Sequence, residues 1–400
     1  MLSLNRATAE PAMLAKAQPV RLPRILAVVL VLLGINVAVV CGAQALEIPP
    51  PPQIDASGYV LVDFDSGAIL AEHNADERLE PASLTKIMTA YVVFRTLDAG
   101  GLALDDEVGV SEKAWRTGGS RMFIEVDTQV SIEDLLKGMI VQSGNDASVA
   151  LAEHIAGSEA GFAEVMNREA AGLGMTNSNF VNAAGLPDPE HYTTPRDIAR
   201  VAAAVVREFP QYYAWYSLPE FTYGGITQSN RNRLLKLDAS VDGVKTGHTK
   251  AAGYCLVSSA ERDGRRLIAV VMGTDSDRQR VADSQALLNY GFNFFETYRP
   301  FAGGEPVERL RVWGGAQTEL PVGPMRDLYI TIPRGSYAQL SAVLEPAADI
   351  VAPVDWGDVV GDIVLRLDET EIRREPAVAL ADVARGDWLR RGWDAVLRRW

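Results

Sequence analysis

Pro81-Ala82-Ser83-Leu84-Thr85-Lys86, followed by Ile87, Met88, Tyr91 and Phe94 at helical spacing, sets the frame for the chain. The hexapeptide reads as a loop entering a long amphipathic helix. Ser83 and Lys86 are three residues apart, so both side chains point to one face of the first turn. The positive end of a helix disfavours an ammonium there, and partial burial lowers the lysine pKa further. A lysine so tuned holds the neutral form and takes the serine proton. The Ser83 N–H, unpaired in a first turn, is available to an oxyanion. Alone the spacing decides little, because a chain of this length carries about one S-x-x-K by chance.

Two further elements give it meaning. Ser143-Gly144-Asn145 lies 60 residues beyond Ser83, in a short break between a helix ending near Gln142 and one starting near Asp146. Such a break presents a hydroxyl and an amide to a cleft. Lys245-Thr246-Gly247 lies 102 residues after Ser143, immediately before a strand that begins at Tyr254. A lysine and a hydroxyl on an edge strand clamp a substrate carboxylate, and Gly247 lets a substrate backbone approach closely. K-T-G is expected only about 0.1 times by chance. Each element has an ordinary reading as a cap or polar turn. The three in this order point to acyl transfer.

Around these motifs the pattern is mixed. Gly58–Asp63 reads as an apolar strand, Asp65-Ser66-Gly67 as a turn, and Ala68–Glu72 as the hairpin partner. A helical zone runs from about Ser83 to Arg207. Ser131 with Asp134 opens one of its helices, and Thr194-Pro195-Arg196-Asp197 opens another. Asp197 reads first as a helix-start cap. Strands return at Tyr254–Ala260 and Arg265–Met272, joined by Asp263-Gly264, and a helix is expected from about Arg280 to Thr297. Strands at both ends with helices between predict an α+β domain: an antiparallel sheet flanked by helices, with a helical subdomain. Pro300–Pro306 is a Gly/Pro-rich break. Beyond it, short alternating segments at Leu310–Trp313, Leu328–Ile332, Gln339–Leu344 and Val359–Leu367 predict a small all-β sandwich.

The ends differ from the middle. Residues 1–45 carry Arg6, Lys16, Arg21 and Arg24 against Glu10, then an apolar run from Ile25 to Val40 and Ala43-Gln44-Ala45. This is the pattern of a secretory signal cleaved before Leu46, the alternative being an uncleaved anchor. Cleavage would leave Cys255 as the sole cysteine, so no internal disulfide is expected. At the other end, Leu389, Trp393, Val396, Leu397 and Trp400 gather on one side of a helix, with arginines opposite. That is the composition of a helix lying on an anionic membrane surface. The net charge of −14 over 400 residues speaks against a nucleic-acid surface. No metal-ligand spacing and no phosphate-cradling loop is present, so neither metal nor cofactor is expected. The expected division is a signal peptide at 1–45, a catalytic domain at 46–300, the β domain at 301–384 and an amphipathic membrane-anchoring helix at 385–400.

With these residues in view, the sequence resembles the penicillin-binding, active-site-serine acyltransferases. It is most similar to low-molecular-mass D-alanyl-D-alanine carboxypeptidases of the penicillin-binding-protein 5 type. Tyr59–Asp63, Pro81–Met88, Asn182-Ala-Ala-Gly-Leu186 and Val241–Thr249 carry the likeness. It implies a β-lactamase/transpeptidase-like fold, a second β-rich domain and a membrane anchor. It further implies that Ser83 is the nucleophile on the penultimate D-Ala carbonyl, with Lys86 as its base. Ser143 would relay a proton to the leaving amine, and Asn145 would position Lys86 and the substrate amide. Lys245 and Thr246 would bind the terminal carboxylate beside Gly247, and the N–H groups of Ser83 and His248 would form the oxyanion hole. Arg231 is a second positive group for the carboxylate, or else a surface arginine. The implied partners are stem peptides ending in D-Ala-D-Ala, β-lactams as covalent inhibitors, and the periplasmic face of the bacterial cytoplasmic membrane. One departure is Ala184, where many relatives carry His or Thr.

Three other readings share parts of this pattern. A class A-like β-lactamase has the same triplet, but usually has Asp inside the second motif, where Gly144 stands here. A D,D-endopeptidase differs only in the bond chosen. A membrane-tethered peptidoglycan-binding scaffold would need no nucleophile–base pair.

Overall fold

A computed structural model of the protein describes residues 48–398. The expected signal segment, residues 1–45, and the last two residues of the tail lie outside the described residues. The chain divides into two compact units. One comprises residues 48–299 together with 328–334, and the other includes residues 300–327 and 335–398.

The first unit is built on a five-stranded antiparallel sheet in the order β2-β1-β9-β8-β7. Its strands are β1 (Gly58–Asp63), β2 (Ile69–His73), β7 (Val241–Thr249), β8 (Gly253–Arg262) and β9 (Arg265–Thr274). Asp263 and Gly264 both adopt positive φ, as a tight hairpin turn between β8 and β9 demands. The middle of β8 and β9 is buried on both faces, and alternate residues feed two cores. Val60, Val257, Ile268 and Val270 face a large helical layer, whereas Leu61, Leu256, Leu267 and Val271 pack with Leu287 and Leu288.

The helical layer contains α1 (Thr85–Asp98), α2 (Glu112–Arg116), α3 (Ile132–Val141), α4 (Asn145–Ala156), α5 (Glu159–Gly172) and α6 (Pro195–Glu208). Small hairpins β3 (Glu107–Gly109) with β4 (Gln129–Ser131), and β5 (Glu220–Tyr223) with β6 (Ile226–Ser229), border it. Short turns α7 (Pro210–Tyr213) and α8 (Leu234–Leu237) lead back to the sheet. Ser131 accepts from the Asp134 N–H and Thr194 from the Asp197 N–H, so both helices open where the sequence places them. Thr194 is thus the cap, and Asp197 is not. Buried at 2% exposure, Asp197 instead accepts from the Asn177 N–H and the Ser178 hydroxyl and pairs with Arg200. α9 (Asp277–Phe294) covers the other sheet face. It starts earlier than the sequence suggests because Ser276 caps it, and it ends where β10 (Phe295–Phe301) begins.

The second unit is all-β with one terminal helix. Its sheet has six strands in the order β14-β16-β17-β12-β11-β15. These are β11 (Glu308–Trp313), β12 (Glu319–Gly323), β14 (Leu340–Pro346), β15 (Ile350–Val351), β16 (Val359–Leu367) and β17 (Thr370–Ala379). β13 (Leu328–Pro333) lies between them in sequence but pairs with β10. α10 (Trp388–Leu397) closes the chain. Among the described residues, no helix is long and apolar enough to cross a membrane.

Candidate active site

Ser83 sits in a single 3-10 turn, Ala82–Leu84, that runs directly into α1. The turn is forced. Ala82 holds φ +46°, and Gly247 on β7 passes so close that a Cβ there would lie 3.0 Å from the Pro81 carbonyl. From the other side Gly185 approaches closer still, a Cβ there meeting the Ala82 carbonyl oxygen at 1.8 Å. Only glycine fits at that point.

Lys86 is 1% exposed, and its Nζ lies among three acceptors. Ser83 Oγ is 3.0 Å away, Asn145 Oδ1 2.7 Å and the Ala184 carbonyl 2.6 Å. Burial, reinforced by the nearby Arg231 charge, lowers its pKa to about 7. Burial is complete rather than partial, and it supplies the main part of that shift. With the proton lost, two N–H bonds still serve Asn145 and Ala184. The lone pair then faces Ser83 Oγ, the most distant of the three partners.

The second motif occupies the break between α3 and α4. Ser143 adopts φ +64°, and its buried Oγ has no hydrogen-bond partner among the described residues. A strained backbone holding an unsatisfied hydroxyl marks a group available to a bound molecule. Asn145 is immobilised by its neighbours: its N–H donates to the Ser120 carbonyl and its Nδ2 to the Gly118 carbonyl. Asp146 accepts from the N–H groups of Met122, Phe123 and Ile124, fastening that loop to the start of α4.

Lys245 and Thr246 lie on β7, the edge strand, both buried. Lys245 Nζ donates to the Thr246 carbonyl at 3.1 Å. Burial, with Lys86, Arg231 and Arg280 nearby, pushes its pKa well below the ordinary lysine value. Arg231 is exposed, as a surface arginine is, yet its Nε donates to the Gln142 carbonyl at 3.0 Å and its charge is felt at both lysines. His248, further along β7, is exposed, its ring 4.0 Å from that of Tyr254.

Two residues escaped the sequence reading. Arg280, from α9, is buried and donates to the carbonyls of Gly247 and Cys255, bracing β7 from behind. His191 is 2% exposed, and burial lowers its pKa to about 4, so the ring is neutral. Nδ1 accepts from the Val181 N–H, which leaves the proton on Nε2, and Nε2 donates to Thr85 Oγ1 at 2.8 Å. His191 thereby ties α1 to the 181–186 loop, where Asn182 Oδ1 gathers the N–H groups of Ala184, Gly185 and Leu186. That loop delivers the Ala184 carbonyl to Lys86. The methyl side chain of Ala184 offers no polar contact, but the position still serves through its backbone. No local motif announces either residue, because each acts across a fold contact.

Comparison with known proteins shows what the chain is similar to. The profile of the Peptidase S11 family, D-alanyl-D-alanine carboxypeptidase, matches residues 45–276. The profile of the penicillin-binding protein 5 C-terminal domain matches residues 295–385. The chain is 43% identical over 358 residues to the D-alanyl-D-alanine carboxypeptidase DacC of Escherichia coli (strain K12), covering 87% of this chain and 89% of the relative. It is also 43% identical over 350 residues to the D-alanyl-D-alanine carboxypeptidase DacA of Haemophilus influenzae, covering 86% and 89%. The crystal structure of penicillin binding protein 5 from Haemophilus influenzae superposes with a TM-score of 0.82, covering 84% of this chain and 99% of that one.

Proposed function

The chain belongs to the D-alanyl-D-alanine carboxypeptidase family of penicillin-binding serine peptidases, and we propose the role of each site residue in that reaction. Neutral Lys86 takes the Ser83 hydroxyl proton as Oγ attacks the penultimate D-Ala carbonyl carbon. The N–H groups of Ser83 and His248 receive the oxyanion. Lys245 and Thr246, with Arg231 behind them, hold the terminal carboxylate. Collapse breaks the peptide bond, and Ser143 passes a proton from Lys86 to the departing D-Ala amine. Water then attacks the ester, Lys86 acting again as base, and Ser83 is restored. The observation that carries this reading is Lys86 Nζ, buried and 3.0 Å from Ser83 Oγ, where burial lowers its pKa to about 7.

Intact-mass measurement after addition of a β-lactam tests it, beside D-Ala release from a D-Ala-D-Ala peptide. A persistent adduct, absent in Ser83→Ala together with D-Ala release, is the expected result. No adduct and no D-Ala would retire these roles. Rapid return to the unmodified mass with hydrolysed drug would indicate a β-lactamase.

The exported, membrane-bound setting is part of the same proposal, with the catalytic domain at 46–300 and the β domain at 301–384. α10 supports it. Trp388, Leu389, Trp393 and Val396 are each more than half exposed, whereas Asp394 is buried against the β domain. A helix that docks by its acid and turns its tryptophans outward suits the interface of a bilayer. Truncation after Ala384 is expected to release the protein from membranes. Cleavage of the N-terminal segment is expected to yield a mature chain starting at Leu46, read by N-terminal sequencing.

A further inference from the structure

α10 is fixed to the β domain along its polar side. Gly386 N–H donates to the Gly314 carbonyl and Ala316 N–H to the Ala384 carbonyl, so the lead-in segment pairs with the chain beyond β11. Asp394 accepts from the Gly314 N–H at 2.7 Å and lies 3.5 Å from Arg311. Arg398 reaches Asp349 at 2.8 Å. Between helix and sheet these contacts leave a cavity of about 260 Å³. Its floor is Trp313 and Ala352, its helix wall is Ala395, and three arginines, Arg385, Arg391 and Arg398, surround it with one acid, Asp394.

The charges do not cancel. Asp394 is taken up by Gly314 and Arg311, and Arg398 by Asp349. Arg385 and Arg391 have no carboxylate partner among the described residues, and both border the cavity. Two guanidiniums facing one small space with an aromatic floor favour a phosphate, whose oxygens match their paired donors. The volume lies below the roughly 300–1,000 Å³ usual for drug-sized ligands, so it suits a headgroup and not a whole lipid. The opening is also placed for one. Trp388, Arg391 and Ala395 follow at i, i+3 and i+7, so the cavity lies along the edge of the exposed apolar arc.

We infer that this cavity binds the phosphate of an anionic phosphoglycerol headgroup. Arg385 and Arg391 donate to its oxygens while Trp388, Leu389 and Trp393 lie among the acyl chains. The inference rests on the membrane reading of α10. It adds that recognition is by a shaped site and not only by diffuse positive charge.

The test uses the mature full-length chain and co-sedimentation with two kinds of vesicle, phosphatidylcholine alone and phosphatidylcholine with about one-third phosphatidylglycerol. Charged hydrogen bonds to a phosphate that are made only in the cavity predict a preference of roughly thirtyfold for the second. Ala395→Phe fills the cavity without altering any charge. It is expected to lose most of that preference while binding neutral vesicles unchanged, with thermal unfolding reporting that the domain is intact. Should that variant not fold, the double change Arg385→Gln with Arg391→Gln is expected to do the same, while Arg326→Gln, also in this unit, keeps the preference. Full preference retained in a folded Ala395→Phe overturns the headgroup site and leaves the anchor standing. No binding of the unaltered chain to either vesicle overturns both. Competition by inorganic phosphate as strong as that by glycerol phosphate overturns the lipid source.

Discussion

The first turn of α1 and the edge strand β7 each bury a lysine, and the two are provided for differently. Lys86 has an acceptor for every N–H of an ammonium: a serine hydroxyl, an amide oxygen and a backbone carbonyl. Lys245, equally deep, has one acceptor among the described residues, the carbonyl of its neighbour Thr246. A buried charge costs free energy unless it is paired and hydrogen-bonded. Lys86 is therefore complete within the protein and responds by exchanging a proton. Lys245 is incomplete, and an anionic group supplied from outside completes it. One lysine is a base and the other is half of a binding site.

Removing each in turn should break this comparison or sharpen it. Lys86→Ala should lower acylation by about 10²–10⁴-fold for every acyl donor, peptide or β-lactam, the loss expected of a general base. Lys245→Ala should cost about a hundredfold in kcat/KM, the value of a charged hydrogen bond, measured with a D-Ala-D-Ala peptide. An otherwise similar ester without the terminal carboxylate should lose far less. Equal losses on both donors would mean that the two lysines share one task. pH gives a subtler contrast. Because the neutral form of Lys86 is the active one, acylation should rise about tenfold per pH unit below its pKa. It should level off above pH 7, the value set by burial. Stopped-flow acylation by a chromogenic β-lactam measures this, and a flat profile between pH 5 and 7 would detach the base from Lys86. The smallest effect belongs to His191→Gln. It severs one tie between α1 and the loop that presents the Ala184 carbonyl, and should reduce kcat several-fold with little change in KM.

What the sequence made legible follows from how local each feature is. Ser83 and Lys86 are joined by one helical turn, and Ser143 to Asn145 by the junction of two helices, so each motif is a local spacing, and the three in order singled them out. Lys245 to His248 lie on β7, an edge strand that the sequence showed only as the approach to the strand beginning at Tyr254. The residues that went unseen make their contacts at long range: Arg280 to β7 from α9, and His191 to Thr85 across 106 positions. The third acceptor of Lys86 is a backbone carbonyl, which no residue type encodes. In the second unit β12, β15 and β17 were missed. Half of β17 is exposed and polar, and its strand character comes from pairing with β16 and β12.

β13 carries a consequence for how the two halves could ever be parted. It comes from the middle of the second region's sequence, yet it is the pairing partner of β10. A gene fragment ending at the Gly/Pro-rich break would encode a catalytic half with a bare edge on β10, open to pairing with another copy. A protease that cuts within 302–327 would leave two pieces still stitched together by β-sheet hydrogen bonds. The boundary visible in the sequence is thus not a place where the chain can be divided. Inheritance, expression and degradation of the two halves should go together.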